Sequence, residues 1–544
     1  MNCIHPTPSE SGFAAAEMLF IDPDACIDCG ACLDVCPVGA VVADYDLTEK
    51  DEAFRELNAR FFQSAEAPRY VARRPDQRLS NDPGGPGKLR VAIVGSGPAG
   101  AFAAQYLLDA GVDVPDAGVD VLGAGTDVAI DMFERLPVPW GLVRFGVAPD
   151  HPRTKQIADL FERIADDPRF RLVLDTEIGR DVGLSDLTGV YDAVIFATGA
   201  LSDRKLEIPG EGLPGSCSAT EFASWYNGHP DFADRSFNLD TERIVVVGNG
   251  NVALDVARVL ASDIDVLRRT DIADHALDAL AASRVREVVV IGRRGPAQAA
   301  FTTPELLGLA ASRDFSLQVE LPDDCTASDD WIGATKLDIL QRLAGRAPTA
   351  GRTLRLLFQR SPIEILGDDR VSAIRLVHNR LERKPDGRLV AMASDQQDIL
   401  DTGFVLRSVG YAGSAIDGLP FDERRGVVPN IGGRVIDPAT HDALPGLYVT
   451  GWIRRGPSGS MGSNRTCARE AVAALLDDHR AGKLIRGGAA SYRLTEAIAQ
   501  GSGLAHWRAI DGHERAQGRL ARRPRVKLVH RSDMARIGGK EALR

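Results

Sequence analysis

Two stretches of this chain share one alternation of apolar and small residues. In "LRVAIVGSGPAGAFAAQYLL", residues 89–108, a β-branched apolar run meets glycines and continues into an Ala-rich segment. "RIVVVGNGNVALDVARVL", residues 243–260, repeats the pattern about 155 residues further along. Short continuous apolar runs predict strands buried on both faces, and the segments after the glycines predict helices. "YDAVIFATGA" at 191–200 and "GLYVTGW" at 446–452 read as further buried strands. Two strand–glycine–helix units predict two nucleotide-binding sites in an α/β protein.

Residues 51 to about 87 break the pattern and end in "SNDPGGPGK", where Pro and Gly stop regular structure. They are expected to link a head, residues 1–50, to the rest. No short repeat or low-complexity tract occurs elsewhere. At 544 residues the chain has room for three or four domains. No apolar run approaches the length that crosses a bilayer, so membrane insertion is not expected. The start, "MNCIHPTPSE", lacks the basic and apolar parts of a signal peptide, and a cytoplasmic protein is the expectation.

Charge changes the picture by its placement. The net charge of −12 argues against general nucleic-acid binding. Residues 1–49 hold nine Asp or Glu and no Lys or Arg, whereas 512–544 hold ten basic residues against three acids. Both ends can be plain solvated surface. An acidic electron carrier that docks on a basic partner is the sharper reading.

The first glycine turn, Gly95, Gly97 and Gly100, reads G-x-G-x-x-G. The first glycine allows the tight turn, the second lets backbone approach a pyrophosphate, and the third lets helix pack on strand. The strand "VAIDMFE" then supplies Glu134, a carboxylate suited to unphosphorylated ribose hydroxyls. Its spacing exceeds the usual ~20 residues, and residues 111–126 read as an insertion. The second turn, Gly248, Gly250 and Ala253, reads G-x-G-x-x-A. Its next strand, "EVVVIGRRG", ends in Arg293 and Arg294. Paired guanidiniums can hold a 2′-phosphate that a carboxylate would repel, so this site reads as NADP.

The head adds iron. Five of eight cysteines lie in the first 36 residues, and "ACIDCGACLDVCPVGA" spaces Cys26, Cys29, Cys32 and Cys36 as C-x2-C-x2-C-x3-C-P. That is an iron–sulfur ligand run, with zinc as the plainer alternative. NADPH yields two electrons as hydride, whereas a cluster accepts one at a time. A flavin does both, so FAD is expected at the first turn as the converter.

"PVPWGLVRFGVAPDHP", "VVVGNGNVALDVARVL", "VVVIGRRGPAQAAFTTPEL" and "GWIRRGPSGSMGSN" together carry a resemblance. Residues 88–544 resemble the adrenodoxin reductase-like class of ferredoxin–NADP reductases, above all its actinobacterial members. The likeness extends to "AHWRAIDGHERA" and "RPRVKL" in the tail. The head resembles a bacterial seven-iron ferredoxin. The resemblance implies two Rossmann-like domains, for FAD and NADP, behind a small ferredoxin-like α+β domain. The expected division is a head at 1–50, a linker at 51–88, an FAD domain from 89–198 and 402–544, and an NADP domain at 199–401.

It further implies that Gly95, Gly97, Ala99, Gly100, Glu134, Leu142, Ile178, Trp452, Gly459, Ser460 and Met461 contact FAD. Arg204, Asn249, Gly250, Asn251, Val252, Arg293, Arg294, Glu305 and Gly459 would contact NADP. His151 and Asp255 match a His and an Asp that the family places near the flavin and links to electron transfer, although by the residue alone His151 is more often a hydrogen-bonded structural histidine. Trp452 stands where flavoproteins at large carry an Asp, as in this subfamily. By the ferredoxin pattern Cys3, Cys26, Cys29 and Cys32 would hold one [4Fe-4S] cluster. Cys36 would serve a second cluster whose other ligands precede Met1, would be an orphan thiol, or would replace Cys3. The implied reaction passes electrons between NADPH and ferredoxin or another one-electron acceptor, in a monomer or weak oligomer. The small subunit of an NADPH-dependent glutamate synthase and a non-turnover redox sensor are the rival readings.

Overall fold

The computed structural model describes residues 88–110 and 127–539, apart from 201, 324, 326, 327, 329, 350, 460, 486 and 489. Within 3–63 it leaves out 8, 9, 11, 12, 14, 15, 24, 27–31, 34, 35, 37, 44, 45, 49 and 50. The insertion expected at 111–126, most of the expected linker (64–87), Cys29 and Ser460 therefore lie outside the described residues.

Two sheets carry the α/β fold. The first has seven strands in the order Asn430–Ile431, Arg434–Ile436, Ala443–Val449, Ala193–Phe196, Leu89–Val94, Val128–Phe133, Phe170–Val173. Its last five strands are parallel, and the first two join antiparallel. The apolar run at 89–94 lies in the interior of this sheet because both its faces are covered. Val91 and Ile93 enter one core, Ala92 and Val94 the other.

The second sheet has six parallel strands in the order Ser316–Glu320, Thr353–Leu357, Glu287–Ile291, Arg243–Val247, Phe404–Arg407, Ser216–Ser218. It repeats the same logic, with Ile244 and Val246 in one core and Val245 and Val247 in the other. A three-stranded antiparallel sheet, Arg360–Leu366, Ala373–Arg383 and Leu389–Asp401, flanks it. Where the chain crosses between the two large sheets, Ser202–Asp203 pairs antiparallel with Tyr411–Ala412.

The tail closes the molecule across both units. Glu514, in the helix Leu504–Leu520, is fully buried and accepts from both terminal nitrogens of Arg144 at 2.9 and 2.6 Å. Lys527 is buried against Asp271 at 3.2 Å and donates to Asn227 Oδ1 at 3.2 Å. Arg144 and Lys527 flank the first sheet, Asn227 and Asp271 the second, so the Lys527 bonds fix how the two units face each other.

The head holds a short antiparallel pair, Ile4–His5 with Phe20–Ile21. Residues Glu52–Gln63, placed by sequence in the linker, form a helix. Leu57 and Phe61, one turn apart, are its only buried positions. Its charged composition hides so narrow a stripe. Among the described residues no helix is long and apolar enough to cross a membrane.

Candidate functional site

Each glycine turn leaves a space of its own shape. Gly95 has φ +103°, and a methyl there would meet Ala197 O at 2.6 Å. At Gly100 it would meet Gly95 O at 2.1 Å. At Gly97, between them, it would meet nothing within 4 Å. The second turn repeats this, with Gly248 (φ +110°) 2.1 Å from Ser408 O and open space at Gly250. The outer glycines answer to the protein and the middle ones to a ligand that approaches backbone.

At the first turn, Glu134 ends its strand and accepts from Ser96 N at 3.2 Å, Ser96 Oγ at 2.7 Å and Leu136 N at 3.1 Å. Ser96 Oγ also accepts from Trp140 N at 3.2 Å, so "PVPW" is tied back to the glycines. Leu142 opens the next helical turn, Leu142–Phe145. Ala99 is buried beside Gly451, where a methyl would lie 2.6 Å from Ala99 Cβ. Trp452 follows at the start of Trp452–Arg455, its ring 5.4 Å from that of Tyr411. Its buried Nε1, like Thr450 Oγ1, has no protein partner. Gly459 has φ +85°, and Met461 begins the helix Met461–Arg480 that packs on the first glycine helix. Ile178 joins the core on the other face of this sheet, in the cluster that holds Val94 and Ile453.

At the second turn, the backbone of the arginine pair is pinned and its charges are left over. Asn379 Nδ2 donates to Arg293 O at 2.8 Å, and Gln359 N to Arg294 O at 3.0 Å. Both guanidiniums are exposed, and neither has an acidic partner among the described residues. Partial desolvation and then the Arg293 charge lower the pKa of Arg294 from its usual value. Two like charges held without a counter-ion suit a phosphate. Asn251 and Asn249 anchor the facing loop. Asn251 Oδ1 accepts from Thr302 N at 2.7 Å and Asn249 Oδ1 from Ala300 N at 3.3 Å, while Asn249 Nδ2 is buried without a partner. Arg204 is exposed on the ribbon between the sheets, with its N–H on Gly410 O at 3.1 Å.

Between the turns, His151, Asp255 and Glu305 come from three separate elements to within 4.8 Å of one another. The residue that gathers them is Arg258. Its Nε and one terminal nitrogen donate to Asp150 at 2.6 and 3.1 Å, and that nitrogen also reaches Asp255 at 2.6 Å. The other terminal nitrogen binds Glu305. The bond to His151 Nε2 is 2.9 Å, and a guanidinium only donates. Nε2 therefore accepts, which leaves the ring proton on Nδ1, 3.9 Å from Asp255 Oδ1.

Burial and then the Asp255 charge push Glu305 up to about 8. Asp150 is held below its usual range, because the Arg258 charge and hydrogen bonds outweigh its desolvation. Sequence reasoning quoted Asp150 and Arg258 within motifs but gave neither a role. The available signal was a lone Asp–Arg pair, three apart, inside an otherwise apolar helix.

In the head, strand pairing brings Cys3 beside Asp22, whose N donates to Cys3 O at 2.7 Å. Cys26 N donates to Asp22 O at 2.9 Å, so Cys3 and Cys26 are two hydrogen bonds apart. Cys36 Sγ accepts from Ala40 N at 3.2 Å. Cys3, Cys26, Cys32 and Cys36 of the head lie within the described residues, and their sulfurs are donors of the type suited to iron.

Known proteins bear on this geometry. Residues 89–290 match the pyridine nucleotide-disulphide oxidoreductase family, and residues 19–42 the 4Fe-4S binding domain. A probable ferredoxin/ferredoxin–NADP reductase of Mycobacterium tuberculosis is 44% identical over 100% of this chain and 93% of its own. The NADPH:adrenodoxin oxidoreductase of Arabidopsis thaliana is 37% identical over 86% of this chain and 98% of its own. Mycobacterium tuberculosis FprA, solved in complex with NADPH, superposes with a TM-score of 0.76 at 43% identity, covering 83% of this chain and 99% of that one.

Proposed function

This chain belongs to the ferredoxin–NADP reductases, and from that premise we propose how its own residues divide the work. The protein is an oxidoreductase that moves electrons between NADP(H) and ferredoxin-type centres, with FAD and a 4Fe-4S domain. Bound FAD supplies the exchange between paired and single electrons.

FAD belongs on the first turn. Gly97 admits its pyrophosphate, Glu134 receives its ribose, and Ala99, Leu142, Ile178, Trp452 and Gly459 to Met461 line it. NADP belongs on the second. Gly250 admits the pyrophosphate and Asn249, Asn251 and Val252 surround it, with Arg204 and Glu305 near it and Arg293 and Arg294 on the 2′-phosphate. Hydride transfer needs positioning above all. Arg258 contributes that by holding His151 in one tautomer and gathering Asp255 and Glu305 beside it. Cys3, Cys26, Cys29 and Cys32 hold the cluster, which the closeness of Cys3 to Cys26 supports. Cys36 is the remaining thiol. The domain division at 1–50, 51–88, 89–198, 199–401 and 402–544 follows the two cofactors, except that the strand Phe404–Arg407 lies in the second sheet and moves the last boundary beyond it. Scarce, clustered cysteines suit a reducing compartment, and we place the protein in the cytoplasm as a monomer or weak oligomer.

The observation that carries this reading is the contrast between the two turns. Both leave their middle glycine open, yet one ends at a carboxylate and the other at two guanidiniums with no acidic partner among the described residues. Anaerobic holoprotein supplied with NADPH should reduce an added bacterial ferredoxin over many turnovers. Reduction of ferricyanide without any reduction of ferredoxin would overturn the proposed acceptor.

A further inference from the structure

The head does not hang free of the reductase. Glu17 accepts from both Thr303 N, at 2.5 Å, and Thr303 Oγ1, at 2.9 Å, at the start of the helix Thr303–Ala311. The same carboxylate pairs with Lys336, whose side chain is 5% exposed. Lys336 Nζ also donates to Ala299 O at 3.2 Å. Residues 299–302 are the loop that Asn249 and Asn251 tie to the second glycine turn.

Beside this ion pair lies an aromatic knot. Phe20 and Phe61 stack at 3.9 Å, and Trp331 stands edge-on to both at 5.5 and 5.4 Å. Leu307 packs against the same cluster. Phe20 belongs to the head and Phe61 to the helix Glu52–Gln63, which Asn58 fastens to Ile21 through hydrogen bonds of 2.7 and 2.8 Å. Trp331 and Leu307 belong to helices flanking the second sheet. Arg60 reaches Asp338 at 3.0 Å on the rim. Toward the first sheet the head offers less. Asp51 lies 4.0 Å from an exposed Arg153, and Val38 meets the core edge.

We propose that this face is a permanent internal docking site, whose occupant is the chain's own iron–sulfur head. Head, helix Glu52–Gln63 and NADP unit then move as one body, and the face is closed to a separate ferredoxin. Separation would strand a buried lysine and a carboxylate and pull Trp331 off the Phe20–Phe61 stack, and covalent attachment makes every return intramolecular. The inference does not depend on which cysteines hold the cluster, so it can fail while the reductase reading stands.

Hydrogen–deuterium exchange on the full-length holoprotein tests it. Glu17→Ala and, from the opposite side, Lys336→Met should each raise exchange at least tenfold in both Glu52–Gln63 and Thr303–Ala311. NADPH–ferricyanide activity should stay within about twofold. The exchanged pair, Glu17→Lys with Lys336→Glu, restores the ion pair but not the bonds to Thr303 N and Ala299 O, and should recover protection only in part. Excess free bacterial ferredoxin should leave protection of Trp331–Ala344 in the wild type unchanged. Unaltered exchange in both single variants, or loss of that protection on adding ferredoxin, would overturn the proposal.

Discussion

Replacing Arg258 with Met puts the central charge cluster to the test. The guanidinium is 6% exposed and touches Asp150, Asp255, Glu305 and His151 at once. Its removal leaves three carboxylates without their shared counter-ion. Breaking a buried ion pair from one side costs about 3–5 kcal/mol. Glu305, pushed up to about 8, already holds its proton at pH 6, so it adds to that cost only where it ionises, from about pH 8 upward.

The sign follows from linkage. Glu305 binds its proton more tightly in the fold than in the unfolded chain, where a value near 4.5 applies. Its contribution is therefore full below pH 4.5 and is lost as pH rises toward 8. The Met variant should lose about 3–4 kcal/mol at pH 8 and about 3 at pH 6, because Glu305, at about 8, is only half ionised at pH 8 and adds less than about 0.5 kcal/mol there. For the ~200 residues around the second sheet that corresponds to a fall in Tm of roughly 6–15 °C at pH 8. Thermal unfolding of the holoprotein at both pH values measures it, with Arg258→Lys as the milder control. A loss below about 1 kcal/mol, or one that is clearly larger at pH 6 than at pH 8, would refute the reasoning.

Three further outcomes are expected. Gly97→Ala adds a methyl that meets no protein atom, so folding should be preserved while flavin content drops severalfold, read from absorbance per chain. Arg294→Ala should lower kcat/KM for NADPH by roughly 10–30-fold, about 1.5–2 kcal/mol for one charge-assisted contact at an exposed site, and leave NADH within twofold. Cys3→Ala should remove most iron per chain, whereas Cys36→Ala should leave it near wild type; the reverse ranking by iron analysis and EPR would assign Cys36 to the cluster.

Much of the architecture was legible because it is local. The runs at 89–94 and 243–247 are buried on both faces, and continuous apolar character is the mark such strands carry. The glycine turns were legible for a related reason, since Gly95 and Gly248 answer to backbone carbonyls close by. What escaped was assembled from distant parts. Arg258 draws its partners from residues 150, 151, 255 and 305, and no spacing rule links an aspartate to an arginine 108 positions away. The helix Glu52–Gln63 escaped because it buries only Leu57 and Phe61, and those against the head and the NADP unit. The buried Glu514–Arg144 pair and the Lys527 bonds across both units were likewise invisible in the basic tail.

The direct test of the whole account is anaerobic rapid mixing of the yellow-brown holoprotein with NADPH or NADH, followed at the flavin and cluster bands. With NADPH the flavin band should bleach first and the cluster band should follow, and NADH should act at least tenfold more slowly. Equal rates with the two nucleotides, or a cluster that is reduced before the flavin, would contradict it.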